Sequence, residues 1–395
     1  MPLSFAKRMS YLKASEIREI LKVTEQEDVI SFAGGLPAPE LFPIEEINVV
    51  SQIVLKESGA KALQYSTTEG YAPLREWIAN RMNTRLGTSF DEDNILITHG
   101  SQQGLDLSGK VFLDEGDVVL CESPTYLAAI SAFKAYGCRF VEIPTDQEGM
   151  MMEALEDVLK RTEGVKLIYV IPTFQNPTGR TWSLERRKSL AELSAKYGVA
   201  VIEDNPYGEL RFEGESLPSI KSFDTVGNVL CTGSFSKIFC PGFRIGWMAG
   251  EKEVIRKYVL VKQGADLQCN TMAQMIIAEF MKRYDIDKHI AKIVDVYRRR
   301  RDVTVECIAR YFPDNIKFTH PNGGLFTWVE LPDGVSARVL LEKCLEKKIA
   351  FVPGGSFFAN ENKENTFRIN YSNMPEDKIE KGLRIIGEVL KSDFA

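Results

Sequence analysis

The sequence predicts an α/β fold. It has a large domain with a seven-stranded, mainly parallel sheet flanked by helices, and a smaller α+β domain formed by the C-terminal part and the N-terminal arm. Three observations predict it. Short apolar runs recur between helix-length amphipathic patterns, as expected of strands buried on both faces. The chain has 395 residues, 44% hydrophobic and 26% charged, which is ordinary globular composition and enough length for two cores. Near residue 285 the texture changes to a long charged helix and short mixed elements. The expected division is 1–43 for the arm, 44–285 for the large domain and 286–395 for the small one.

Taken in order, Ser15 to Lys22 reads as a short amphipathic helix, followed by the Gly/Pro-rich stretch Ala33 to Pro39. Helical patterns follow at Ile44–Lys56 and Ala72–Arg85. The seven strand-like runs are Ile95–Thr98, Val118–Cys121, Arg139–Ile143, Leu167–Ile171, Val199–Glu203, Val229–Cys231 and Ile245–Ala249. Helical patterns from Leu105, at Tyr126–Tyr136, Glu153–Lys160 and Leu184–Tyr197 separate many of them. The small domain is read as Ile286–Arg310, Ile316–Thr319, Gly324–Leu331, Val335–Lys347, Ala350–Val352, Phe367–Tyr371 and Asp377–Leu390.

Several function classes are disfavoured. A net charge of −6 supplies no general field for nucleic acid or an anionic membrane. The basic run Arg298 to Arg301 is expected to be a solvated or subunit-facing stripe of a helix. No apolar run reaches transmembrane length, and the first 30 residues lack a signal-peptide core. Seven scattered cysteines without a Cys-x-x-Cys pair fit reduced thiols in the cytoplasm. Three histidines with no Cys or carboxylate cluster beside them in sequence argue against a metal site. Gly104, Gly109 and Lys110 imitate a phosphate-binding P-loop, but Val111 stands where a magnesium-binding Ser/Thr is needed.

Ligands of open parallel sheets sit at the carboxyl ends of the strands, so the segments after each run carry the chemistry. Ser101 and Gln102 follow a glycine and open a helix, a ready anion site. Tyr126 can stack on a planar ring. Asn176, before a proline, can donate to a phenolate oxygen. Asp204 can hold a protonated ring nitrogen, and Tyr207, three residues on, can donate to the same phenolate. Ser234-Phe235-Ser236-Lys237, followed by Arg244, sets a lysine beside two hydroxyls and a cation. The hydroxyls and the arginine suit a phosphate monoester, and a lysine of lowered pKa forms an imine with an aldehyde. Arg368, inside an apolar strand, needs an anion, which a substrate carboxylate would supply. Alone, each segment also reads as a turn, a cap, a packed tyrosine or a salt-bridged arginine. Together they match one cofactor, pyridoxal 5′-phosphate.

In this combination the chain resembles the fold-type I, class I/II pyridoxal-phosphate aminotransferases, closest to the 2-aminoadipate and kynurenine/aminoadipate enzymes. The motifs are Asn176-Pro177-Thr178-Gly179, Asp204-x-x-Tyr207, Ser234-x-Ser236-Lys237 and Arg244-x-Gly246-Trp247. The resemblance implies Lys237 as the catalytic, imine-forming lysine. It implies a phosphate site of Ser101, Gln102, Ser234, Ser236 and Arg244, and Tyr126 stacked on the ring. Asn176 and Tyr207 are then at the phenolate oxygen, Asp204 at the ring nitrogen and Arg368 at the substrate carboxylate. Tyr65 is implied to reach the neighbouring subunit's phosphate in a homodimer, and Gly35 to border the substrate. A helix over the site would carry Ser15 and Arg18 on one face, with Arg18 meeting a distal carboxylate or merely pairing with nearby glutamates. The implied reaction moves an amino group from an aminoadipate, aromatic or branched L-amino acid to 2-oxoglutarate by a ping-pong mechanism. A C–S β-lyase and a non-enzymatic aminotransferase-like sensor are the other readings.

Overall fold

The computed structural model describes residues 3–12, 28–360 and 363–393. Its large sheet has eight strands, in the order Ile95–Thr98, Gly246–Ala249, Val229–Ser234, Ala200–Asp204, Val165–Val170, Val118–Ser123, Arg139–Asp146 and Gly149–Met150. Only Gly246–Ala249 and Gly149–Met150 run against the rest. The seven expected strands are all present. The eighth, two residues long, is too short to show an alternation and becomes visible only through its pairing with Arg139–Asp146.

Alternation along these strands divides the core into two layers. Val119, Cys121, Tyr169 and Ile202 pack on one face with the helices Gly100–Phe112, Leu127–Lys134 and Lys252–Gln263. Val118, Leu120, Ile168 and Val201 pack on the other with Met152–Arg161 and Leu184–Tyr197. Each fully buried aliphatic side chain contributes roughly 1.5–3 kcal/mol. The helices Lys252–Gln263 and Thr271–Arg283 were not expected from the sequence. Both carry usable signals. Ile255, Tyr258, Val259 and Lys262 repeat at helical spacing, and Asn270 caps the second helix by accepting from the Ala273 N–H at 2.8 Å.

The helix Ile286–Tyr311 leads into the small domain, a four-stranded antiparallel sheet of Lys317–Phe318, Phe326–Glu330, Thr366–Asn370 and Val352–Pro353. The arm joins it, as Ile30–Ser31 pairs with Ile349–Ala350 and the Asn370 N–H donates to the Phe32 carbonyl. The basic run on the long helix is half buried, not a solvated stripe. Arg298 and Arg299 pair with Asp295 at the surface, whereas Arg300 and Arg301, 4% and 2% exposed, pair with Glu40 and Glu213. A helical period of 3.6 turns two residues of any four-residue run inward. Among the described residues no helix is long and apolar enough to cross a membrane.

Candidate active site

At the carboxyl edge of the large sheet lies a cavity of about 280 Å³. Gly35, Ser101, Gln102, Tyr126, Asn176, Asp204, Tyr207, Ser234, Ser236, Lys237, Arg244 and Arg368 all line it. Tyr65 does not, and its side chain is 78% exposed. Ser15 and Arg18, with the helix expected around them, lie outside the described residues.

The helix Gly100–Phe112 begins at the cavity wall with no side-chain cap, so its first N–H groups face inward. It absorbs the P-loop mimic, with Gly104 and Gly109 buried inside the helix. Arg244 sits in the left-handed region at φ 54°, and its Nη2 reaches the His99 carbonyl at 3.4 Å. Two glycines allow this approach. A Cβ on Gly246 would lie 2.7 Å from the Gly100 and Ser101 backbone, and one on Gly100 would lie 2.6 Å from Arg244 Nη2. On the neighbouring turn the Ser234 and Ser236 hydroxyls are 2.8 Å apart, and the Ser236 N–H donates to Ser234 Oγ at 3.0 Å.

Lys237 Nζ donates to the Gly35 carbonyl at 2.6 Å. Burial, then the Arg368 and Arg244 charges, lower its pKa to about 8. Opposite, Arg368 donates to Asn176 Oδ1 at 2.8 Å and to the Ala33 carbonyl at 2.6 Å. Its guanidinium lies over the rings of Phe326 and Phe357, at 4.1 and 5.0 Å. Burial lowers its pKa to about 10, and among the described residues no carboxylate pairs with it. Asn176 also donates to the Tyr207 hydroxyl at 3.2 Å, and the Asn176–Pro177 bond is cis.

Asp204 accepts from the Tyr169 hydroxyl through Oδ2 at 2.7 Å, while its buried Oδ1 has no hydrogen-bond partner among the described residues. Burial, opposed by the Tyr169 bond, raises its pKa to about 7. An orphaned carboxylate oxygen behind a cavity fits a ring N–H, so the residues present fit pyridoxal 5′-phosphate. Tyr169 was not found from the sequence. Its position in a strand of known alternation, level with Ile202, was the available signal. Ala33, Gly34, Leu36, Leu127 and Ala128 were also missed as wall residues, because residues without a polar side chain carry no chemical signature.

The fold also brings ligand atoms of His99, Asp266 and Cys269 within 4.8 Å of one another, which sequence spacing hid. Lys262 Nζ is 2.7 and 2.8 Å from the two Asp266 oxygens, and Gln103 donates to the same carboxylate. That makes an ion-pair cluster.

Fold and chemistry are those of a pyridoxal-phosphate enzyme. More specifically, the chain belongs to the aminotransferase class I and II family, whose profile matches residues 41–386. It is 47% identical over 394 residues to aromatic-amino-acid aminotransferase 1 of Thermococcus litoralis, covering 99% of this chain and 94% of the relative. It is 44% identical over 395 residues to the 2-aminoadipate transaminase of Thermus thermophilus, covering 99% and 98%. The kynurenine aminotransferase of Pyrococcus horikoshii, solved in complex with PMP, with KYN as substrates and KYA as products, superposes with a TM-score of 0.95. That pair is 44% identical and covers 99% of this chain and 98% of the other. The protein is therefore a transaminase, and its cofactor is pyridoxal 5′-phosphate.

Proposed function

We propose that this transaminase takes the amino group of an aromatic or 2-aminoadipate-type L-amino acid and passes it to 2-oxoglutarate in a ping-pong cycle. One observation carries the reading. A lysine whose pKa is lowered to about 8 shares a cavity with a buried arginine that has no carboxylate partner among the described residues. The names of the aromatic and 2-aminoadipate relatives, at 47% and 44% identity, support the substrate class.

Ser101, Gln102, Ser234, Ser236, Arg244 and the open helix N-terminus would hold the phosphate. Tyr126 would stack on the ring. Asn176 and Tyr207 would bind the phenolate oxygen, and Asp204 Oδ1 the ring nitrogen. When bound, the cofactor supplies an aldehyde carbon for the amino group and a ring that withdraws charge from the substrate Cα. Arg368 grips the α-carboxylate in bidentate fashion, which turns the Cα–H toward Lys237. As a neutral amine, Lys237 would take that proton and return it across the nitrogen, two atoms along, to the carbon the cofactor's aldehyde supplies. Gly35 and Asn176 border the substrate. Arg18, three residues after Ser15 in the sequence, would meet a distal carboxylate. Tyr65, exposed in the single chain, completes the phosphate site of a second copy, so the working unit is a homodimer.

The test is a half-reaction screen. Loaded enzyme is mixed with 2-aminoadipate, kynurenine, tyrosine, leucine or glutamate alone, and the cofactor absorbance is followed. Conversion with aromatic or acidic amino acids, reversed by 2-oxoglutarate, is expected. Elimination products from a cysteine conjugate, with no response to any of the five, would overturn the reading.

A further inference from the structure

Tyr169 and Asp204 stand on neighbouring parallel strands. Tyr169 is level with Ile202, and Ile202 and Asp204 share a face by the two-residue period of the strand. The tyrosine and its neighbour's carboxylate therefore project from the same face of the sheet, side by side on adjacent strands. Its ring is 1% exposed and is held edge-on by Phe133, with centroids 5.9 Å apart. Its hydroxyl donates to Oδ2 at 2.7 Å, while Oδ1, also buried, accepts from nothing among the described residues. Burial, and then the Asp204 charge, keep the phenol pKa well above its ordinary value, so the group stays a donor.

We propose that Tyr169 is a positioning residue for the cofactor's ring nitrogen. Its hydroxyl pins Oδ2 and thereby commits Oδ1, as a charged acceptor, to the ring N–H. The inference rests on the reading of Asp204 as the partner of that nitrogen. Without the phenol, the carboxylate would lose the one hydrogen bond it has among the described residues and turn freely about its terminal torsion. It would also be a poorer anion, since a hydrogen bond to a charged acceptor favours the charged form. A merely structural tyrosine would affect every ligand of the cavity alike. A positioning tyrosine affects only ligands that carry the ring nitrogen.

That difference sets the experiment. The full-length chain, cleared of cofactor, is titrated with pyridoxal 5′-phosphate and with the analogue whose ring nitrogen is replaced by C–H. Wild-type protein is expected to prefer the natural ring by tenfold or more. Tyr169→Phe is expected to reduce that preference by about tenfold, the worth of one charge-assisted hydrogen bond, and to leave the analogue's affinity unchanged within about twofold. In an Asp204→Asn background the same change should do nothing further to the preference, whatever its effect on the fold. Equal losses for both rings, or an undiminished effect of Tyr169→Phe in the Asp204→Asn background, would overturn the role of Tyr169. Equal affinity of wild-type protein for the two rings would instead overturn the reading of Asp204.

Discussion

Glu203 and Asp204 are adjacent, both 1% exposed and both at the end of the same strand, yet their surroundings are opposite. Glu203 faces the rear layer. It accepts from the Ser219 hydroxyl and from the Ile220 and Lys221 N–H groups, and so ties the short helix Ile220–Phe223 to the sheet. Asp204 faces the cavity with one donor and one unused oxygen. A buried carboxylate that is fully bonded belongs to the architecture. One that is half bonded is waiting for a ligand. The same distinction separates Arg187, which donates to carbonyls of Pro172 and Pro218 and to the Thr173 hydroxyl, from Arg368, whose buried Nε has no partner among the described residues.

The contrast can be broken by substitution. Lys237→Ala should have the largest effect, a loss of about 10⁴-fold or more in turnover with cofactor still retained, measured by single-turnover kinetics. Asp204→Asn should lower turnover by about 10²–10³-fold with no loss in the urea midpoint of cofactor-free protein. Arg368→Lys should raise KM for amino acids by about 10–100-fold, since the fork is lost while the charge remains. Glu203→Gln should do the reverse of Asp204→Asn. It should lower stability by about 1–3 kcal/mol while kcat per folded molecule stays unchanged. Loss of turnover in Glu203→Gln without loss of stability would erase the distinction.

The smallest effect sharpens the contrast through pH. In cofactor-free protein, the Asp204 pKa is raised to about 7, so the folded chain holds that proton where the unfolded chain has released it. Stability from this group is present at low pH and falls as pH rises from the ordinary carboxylate range toward 7. The Lys237 pKa is lowered to about 8, so the unfolded chain binds more protons above that value, and stability climbs toward the ordinary lysine range. A denaturation midpoint followed across pH should show both limbs. Asp204→Asn should flatten the first and Lys237→Met the second.

Much of this was legible in the sequence because strand ends announce themselves. An apolar run followed by Glu-Asp-Asn-Pro or Gly-Ser-Phe-Ser-Lys locates both the strand and its loop. What stayed hidden depended on three dimensions. Nothing in the chain alone shows that Glu203 is satisfied by Ser219 or that Tyr169 touches Asp204, since those bonds cross between separate strands and loops. The short strand Gly149–Met150 and the buried half of the Arg298–Arg301 run were hidden for the same reason.

Arg368 draws together segments 192 and 335 residues away, Asn176 and Ala33, from the last described strand of the chain. A chain growing from its N-terminus can complete its large sheet long before that strand exists. The pocket that tells an amino acid from a simple amine is thus assembled last. During synthesis the protein has a place for its cofactor before it has any means of choosing a substrate.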